Sequence, residues 1–249
     1  MPTPKLKTLS PDTRTDLGDY KVTVRNALNM AAQGFRTINE KRIIMACVAK
    51  IDSATFDKLH QRHVVRLTAA EFAETFPAVP KEDAYAVLKK TLPGLRKREF
   101  RRIENGEVRD DSWISGTTYM DKKGWLELRF TPEATPFLLA IRGDFTTYVL
   151  KQAAGLRSLN SWRLLELLMQ YKDSGWRKIS VEDFGMALEV KPTYLKNFAQ
   201  LRRWIIEPAV KELCEKDGWL IEWQPIKAGT KVVQLHFTFK RDPQARLEL

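Results

Sequence analysis

The sequence predicts an α+β fold in which one succession of helices and strands occurs twice. The first observation is a basic amphipathic helix at residues 193–206, followed by two strands joined by a lysine-bearing turn. The second is a seven-residue pattern, basic–aliphatic–hydroxyl–x–x–acid–Phe, which begins at Arg66 and again at Lys178. Each copy follows an apolar-striped helix and precedes a second helix, a basic cluster and a tryptophan-bearing hairpin. We therefore predict two tandem winged-helix (winged helix-turn-helix) domains related by internal duplication.

The first half of the chain supplies the elements of one such domain, which we place at residues 19–142. Residues 1–18 are rich in proline, threonine and charge, which predicts a flexible tail. From spacing and caps we predict, in chain order, a helix at 21–32, a helix at 38–51 capped by Asn39, a strand at 64–67, a helix opened by a capping box of Thr68 and Glu71, and a helix opened by Pro80. We interpret the acidic segment 104–112 as a loop. Strands at 113–119 and 125–130 and a helix start at Thr131 complete the domain.

The second half supplies the other domain, which we place at residues 143–240, with a tail at 241–249. We predict a bracing helix at 145–154 and an apolar-striped helix at 161–171. In the helix at 193–206, one face is apolar: Tyr194, Phe198, Leu201 and Ile205. Pro208 lacks a backbone donor, so the helix should kink or restart there.

The opposite face of this helix predicts DNA contact. It presents long donor side chains: Lys196, Asn197, Gln200 and Arg203. Such side chains bind base edges in a major groove, whereas Arg202 on the flank is better placed for a phosphate. The following hairpin carries Lys227 and Lys231 in its turn, which predicts a basic wing.

Charge supports the same function. Lysine and arginine total 42 against 31 acids, giving a net charge of +11 and a pI of about 9.6. Such an excess favours nucleic acid as the partner, a merely basic protein being the alternative. A second basic group lies on and after the helix opened by Pro80. Its members are interpreted either as phosphate contacts or as a solvated helix end: Lys89, Lys90, Arg96, Lys97 and Arg98.

The sequence predicts no cofactor, metal site or membrane segment. Cys47 and Cys214 form no CxxC pair and are interpreted as reduced core residues. His60 and His63 lack a ligand grouping of usual spacing, and a cation site at the acids of 104–112 is less expected than a solvated loop. The chain also shows neither a signal peptide nor an apolar run of about 20 residues, so we expect a cytoplasmic protein, nucleoid-associated if bacterial.

With these residues in view, the chain resembles the iteron-binding replication initiators of bacterial plasmids. Three stretches carry the resemblance. Phe145-Thr146-x-Tyr148 with Leu156-Arg157-Ser158 and the run 162–168 resembles the entry to that family's second domain. The run 201–213, Leu-Arg-Arg-Trp-Ile-x-x-Pro-Ala-Val-Lys-Glu-Leu, resembles its DNA-binding helix, and 227–239 its wing. Leu165 departs from the tyrosine common in the family, for which we expect only a packing change.

The resemblance implies a specific biology. Proteins of this family bind repeated sites at a plasmid origin as monomers to start replication, and many dimerise through the first domain and repress their own gene. Host initiator protein and replicative helicase would then be partners, and Arg202 and Arg203 match the family's adjacent arginines. We expect the strand at 125–130 to be the edge through which two copies pair.

Three other functions compete with this reading. A relaxase would need a catalytic tyrosine and a differently spaced histidine pair, and an ATP-driven motor would need a phosphate loop that the sequence lacks, so we expect no enzyme. A winged-helix transcriptional repressor shares both fold and charge, and a protein–protein module would carry its basic residues as a solvated face. Four tryptophans are interpreted as packing groups rather than base-stacking groups: Trp162, Trp204, Trp219 and Trp223.

Overall fold

A computed structural model describes residues 16–52, 55–119, 123–138 and 145–242. The predicted tails therefore lie outside the described residues up to residue 15 and from residue 243 onward. The predicted junction between residues 142 and 143 lies outside them as well. None of the helices in these ranges is long and apolar enough to cross a membrane.

The first half alternates short helices and strands. In chain order its elements are β1 (Lys21–Arg25), α1 (Asn26–Met30), α2 (Ile38–Ala49), β2 (Phe56–Asp57), β3 (Arg62–Thr68), α3 (Ala69–Thr75), α4 (Ala84–Leu95), β4 (Glu99–Glu104), β5 (Glu107–Ser112), β6 (Ile114–Tyr119) and β7 (Trp125–Phe130). Short 3-10 helices lie at Leu17–Asp19 and Thr135–Phe137.

The second half repeats this alternation with a longer final hairpin. Its elements are β8 (Phe145–Val149), α5 (Lys151–Ala154), α6 (Leu159–Met169), β9 (Trp176–Ser180), α7 (Val181–Ala187), α8 (Pro192–Leu195), α9 (Phe198–Leu201), a π-helical turn (Arg202–Ile206), α10 (Glu207–Asp217), β10 (Trp219–Ala228) and β11 (Lys231–Arg241).

Both halves build the sheet of a winged helix with one topology. The sheets have the orders β2-β3-β7-β6 and β10-β11-β9. In the first sheet, β3 leads into α3 and pairs with β7, which also pairs with β6. In the second sheet, β9 leads into α7 and pairs with β11, which also pairs with β10. The prediction of two winged-helix domains is thus confirmed.

The repeated seven-residue pattern occupies the same place in both domains. The hydroxyls of Thr68 and Ser180 end β3 and β9 and accept the backbone N–H of Glu71 (3.1 Å) and Asp183 (2.9 Å). Because these N–H groups have no partner within the first helical turn, the hydroxyls satisfy them and fix where α3 and α7 begin. The capping box of Thr68 and Glu71 is confirmed.

Several predicted elements were wrong. Residues 21–32 form β1 and the short α1 rather than one helix, because β1 pairs with the distant β8. Residues 145–149 are therefore a strand, and the predicted bracing helix shrinks to α5. Thr37, not Asn39, caps α2 and forms a capping box with Glu40. Thr131 opens a turn and the 3-10 helix rather than a regular helix.

Two strand assignments also change. The segment 104–112 is not a loop, because Asn105 and Gly106 adopt positive φ angles of 53° and 81° and turn β4 back into β5. The strand β7 is not an edge, because it is hydrogen-bonded to β3 on one side and β6 on the other. A second copy cannot pair with β7 in this fold, so the expected route to a dimer is wrong.

A buried ion cluster joins α2 to α6. Lys41 of α2 and Glu166 of α6 are fully buried, and Lys41 Nζ lies 2.6 Å from Glu166 Oε1. Arg163 Nη1 lies 2.6 Å from the other carboxylate oxygen, and Tyr148 donates its hydroxyl to Glu166 Oε1 at 3.1 Å. Burial raises the pKa of Glu166, but the positive charges of Lys41 and Arg163 lower it by more. The pKa of Glu166 therefore lies below its ordinary value. Burial lowers the pKa of Lys41 to about 8, so both groups are charged at pH 7.

Candidate nucleic-acid interface

The basic helix of the second domain is interrupted, contrary to the prediction of one helix at 193–206. Asn197 has φ −128° and ψ 94°, and its side chain accepts the backbone N–H of Gln200 at 3.3 Å. It therefore separates α8 from the helical residues 198–217, which we call the recognition helix. The interruption follows from the preference of asparagine for helix starts, which the spacing of apolar residues does not reveal.

A π-helical turn at Arg202–Ile206 sets the faces of the recognition helix. Ile205 and Ile206 of this turn are both buried, whereas Trp204 points outward with 54% of its surface exposed. The interpretation of Trp204 as a packing residue was therefore wrong. Trp162 and Trp219 are buried and Trp223 is half-buried, as predicted.

The predicted donors of this region are all exposed, but they do not form one stripe. Gln200 and Arg203 lie on the recognition helix, whereas Lys196 ends α8 and Asn197 is the cap between the two. The Arg203 guanidinium lies 5.0 Å from the Trp204 ring, a cation–π distance that leaves both groups at the surface. The capping bond uses the Oδ1 atom of Asn197, so its amide nitrogen is the group it offers to a ligand.

The flank of the recognition helix carries an ion pair that the sequence reasoning missed. Arg202 Nε donates to Glu207 Oε1 at 2.6 Å, and the Arg202 guanidinium lies 6.0 Å from the ring of Trp223. Glu207 follows Arg203 by one turn and is exposed, so an acceptor lies beside the donors on this surface. The arginine and the glutamate at this spacing were visible in the sequence.

The wing is a tight hairpin of β10 and β11. The turn is shorter than predicted, since Lys227 lies within β10 and Lys231 begins β11. Lys231 pairs with Ala228, and Lys227 pairs with Val232. Because side chains alternate along a strand, the two lysines lie on opposite faces of the ribbon. A basic group on each face suits a wing that enters a groove between two phosphate strands.

The basic residues of the first domain surround the end of α4. Lys89, Lys90, Arg96 and Lys97 are exposed, and the Lys89 ammonium lies 5.4 Å from the Tyr119 ring. Arg98 differs, because its Nε donates to Glu40 Oε1 at 2.9 Å and it is only partly exposed. Glu40 Oε2 also accepts the backbone N–H of Arg36 and Thr37. Arg98 would have to leave this pair to contact a phosphate.

The side chains weighed as metal ligands have protein partners. Asp110 and Asp111 pair with Arg101 and Arg102 across the β4–β5 hairpin, at 2.7 Å and 3.1 Å. His60 bonds Asp57 and His63 bonds Thr55, so the two histidines do not converge. Among the residues that the structure describes, no group of three or more histidines, cysteines or acids could hold a metal ion. Burial raises the pKa of Cys47 to about 12, which leaves it a protonated core thiol.

Two family models match the chain. The model of "Initiator Replication protein, WH1" matches residues 21–169, and that of "Initiator Rep protein, WH2" matches residues 180–239. The first model includes the β1–β8 pair and α6, and the second includes α7, the recognition helix and the wing. Together they span most of the chain.

Known proteins are also similar to the chain. The crystal structure of Pi initiator protein in complex with iteron DNA matches with a TM-score of 0.74 at 21% identity, covering 91% of this chain and 99% of that one. The WH1 domain of the replication protein MSBI1.176, isolated from a multiple sclerosis patient, is 23% identical, with a TM-score of 0.32 and coverage of 41% and 76%. An uncharacterized 27.6 kDa protein of Escherichia coli is 27% identical over 117 residues, so the chain spans about half the length of that relative. With both of its domains matched in order, the chain belongs to the family of initiator replication proteins built from two winged-helix domains.

Proposed function

We propose that this protein is a plasmid replication initiator that binds repeated double-stranded DNA sites, iterons, at an origin. The observation that supports this most strongly is the second domain's surface, where an exposed, donor-rich recognition helix lies beside a wing with a lysine on each face. A helix of this kind fits the major groove, and the wing suits the neighbouring phosphates. The match to the Pi initiator bound to iteron DNA supports the same fold for both proteins.

The proposed roles of individual residues follow from their positions. Gln200 and Arg203 contact base edges, with the free amide nitrogen of Asn197 at the start of the same helix. The remaining basic residues contact phosphates and set affinity rather than sequence preference: Lys196, Arg202, Lys227 and Lys231 in the second domain, and Lys89, Lys90, Arg96, Lys97 and Arg98 in the first.

The domain limits are part of the proposal. We assign residues 19–142 to a first domain for dimerisation and auxiliary DNA contact, and residues 143–240 to a second domain for sequence-specific binding. Support for placing α6 in the second domain comes from its packing against α10. The predicted tails of residues 1–18 and 241–249 are too long, because Leu17 and Gly18 belong to a 3-10 helix and Arg241 ends β11.

Further steps belong to the same proposal. As an initiator the protein helps to open the origin and recruits host initiator protein and replicative helicase. It acts in the cytoplasm on plasmid DNA without enzymatic activity of its own. A homodimer in equilibrium with the monomer represses the protein's own gene. Since β7 is paired on both sides, another surface must supply the dimer contact.

Footprinting on the DNA that flanks the gene tests the proposal. We expect protection of several tandem direct repeats, because an initiator assembles many copies at its origin. Protection of one inverted repeat at a promoter, with no repeats protected elsewhere, would instead identify a transcriptional repressor. A binding constant that does not change with salt would exclude DNA as the partner altogether.

A further inference from the structure

The recognition helix carries a tryptophan with more than half of its surface open to solvent. Trp204 is 54% exposed, and its ring contact among the described residues is with the Arg203 guanidinium, 5.0 Å away. Its indole N–H has no hydrogen-bond partner in those ranges, whereas Trp113, Trp162 and Trp219 each donate theirs to a protein oxygen. Trp204 therefore contributes little to the packing of the fold, and its ring is available to a ligand.

The position of Trp204 places its ring among the side chains proposed to contact base edges. Trp204 follows Gln200 by four residues, which is about one helical turn, and it adjoins Arg203. Gln200 and Arg203 are exposed as well, so the three side chains form one surface, while Leu201 and Ile205 are buried and face the core. A helix that presents Gln200 and Arg203 to a major groove therefore presents the indole ring to the same groove.

The contact between the indole ring and Arg203 leaves the base-binding groups of Arg203 free. A ring over the face of a guanidinium does not use its N–H donors, which point outward in the guanidinium plane. Arg203 also has no ion pair among the described residues, unlike Arg202, which is bound to Glu207. The Arg203 guanidinium can therefore bind O6 and N7 of a guanine. Since successive base pairs are about 3.4 Å apart, a ring centred 5.0 Å from the guanidinium reaches the neighbouring base pair.

The chemistry of the indole ring specifies which group of the neighbouring base pair it contacts. The ring is apolar apart from its N–H, so it is stabilised most by another apolar group. In the major groove thymine is the base that presents such a group, its C5 methyl. Removing one buried methyl group from a contact of this kind weakens binding roughly three- to fivefold. A phosphate, in contrast, would be bound by a cation rather than by an aromatic ring.

Given the proposed function, on which this inference rests, we propose that Trp204 is a specificity-determining residue. Its ring contacts the methyl group of a thymine in the base pair next to the guanine bound by Arg203. The preferred DNA sequence therefore contains a guanine with a thymine in the adjacent base pair, on either strand. Base recognition by the second domain then includes an apolar contact in addition to the hydrogen bonds of Gln200 and Arg203.

Uracil substitution in a duplex with a single iteron tests this contact, because uracil lacks only the methyl group of thymine. Each thymine is replaced in turn, and binding of the full chain is measured at one salt concentration. We expect the wild type to lose affinity roughly three- to fivefold at a thymine beside a guanine. Trp204→Ala should bind the unmodified duplex more weakly than the wild type and show no further loss at that thymine. Its melting temperature should equal that of the wild type, since the ring is exposed.

Trp176→Ala is the matched control, since Trp176 is 48% exposed but lies on β9, outside the recognition helix and the wing. It should show the wild-type loss at the same thymine. The proposal is overturned if no uracil substitution weakens the wild type, or if Trp204→Ala keeps the wild-type loss.

A contact between neighbouring copies is distinguished by the number of sites. If Trp204→Ala weakens binding only to duplexes with several iterons, the ring contacts another copy of the protein and the proposal is overturned. If the wild type does not distinguish the iteron duplex from a random one, the proposed function is wrong and this contact with it. Specific binding without any effect of the methyl group overturns the contact alone.

Discussion

The two winged-helix domains share their strand order and their capping hydroxyls. They differ in the helix that comes before the final strands, which is α4 in the first domain and the recognition helix in the second. In the first domain α4 is a regular helix whose proposed N-cap, Asp83, makes no side-chain capping bond. In the second, Asn197 caps the recognition helix and a π turn redirects its middle residues. The basic residues of the first domain lie in the middle of α4 and just after its C-terminal end, whereas Arg202 and Arg203 lie in the first two turns of the recognition helix.

We propose that this difference separates two ways of binding DNA. The cations on and after α4, one of which is paired with Glu40, would contact phosphates, which carry no sequence information. The donors on the exposed first turns of the recognition helix would contact base edges.

The largest expected effect concerns the buried ion cluster between α2 and α6. Glu166→Gln would leave Lys41 and Arg163 buried without a counterion, so the free energy of unfolding should fall by about 3–5 kcal/mol. Urea denaturation measures the change. Glu215→Gln, which breaks the exposed pair with Lys211, should cost no more than about 1 kcal/mol. Equal losses for the two variants would show that the buried cluster contributes no more to stability than an exposed ion pair.

A smaller effect on stability should distinguish the start of α4 from the start of the recognition helix. Asn197→Ala removes the capping acceptor and should lower the free energy of unfolding by about 0.5–2 kcal/mol, whereas Asn197→Ser keeps an acceptor and should restore most of it. Asp83→Ala in the first domain should have less effect, because its side chain makes no capping bond. Thermal melting of the three variants provides the comparison, and a larger loss for Asp83→Ala would contradict it.

The smallest expected effects concern single phosphate contacts. Lys227→Ala in the wing should reduce the slope of log K against log salt by about one unit and weaken binding to all duplexes alike. Lys90→Ala on α4 should reduce the slope by a similar amount if the first domain touches DNA. Binding titrations at several salt concentrations measure both slopes. An unchanged slope for Lys90→Ala would remove the first domain from the interface.

The sequence predicted the fold where patterns were local and repeated. The seven-residue pattern around Thr68 and Ser180 correctly located the starts of α3 and α7. The capping hydroxyl and the buried phenylalanine fix a helix start through contacts within one turn. The pairing of β1 with β8 was missed, since it joins segments more than 100 residues apart. The Asn105-Gly106 turn was missed although the dipeptide is a strong hairpin signal, because the many charges around it favoured a loop.

The candidate site was predicted by residue type better than by geometry. Every predicted donor of the second domain is exposed, but the helical wheel assumed one unbroken α-helix. Asn197 ends that regularity and the π turn shifts it again, so Trp204 lies at the surface instead of the core. A wheel with a fixed angle per residue cannot represent either change.

The specificity ratio, the dissociation constant for a random duplex divided by that for an iteron duplex, tests the division of roles most directly. It should be measured at one salt concentration for the wild type, Arg203→Ala and Lys97→Ala. A guanidinium bound to guanine discriminates by roughly 1–3 kcal/mol, so Arg203→Ala should lower the ratio by about tenfold or more. Lys97→Ala should weaken both duplexes equally and leave the ratio unchanged. An unchanged ratio for Arg203→Ala, or a lowered ratio for Lys97→Ala, would contradict the assignment of base recognition to the second domain.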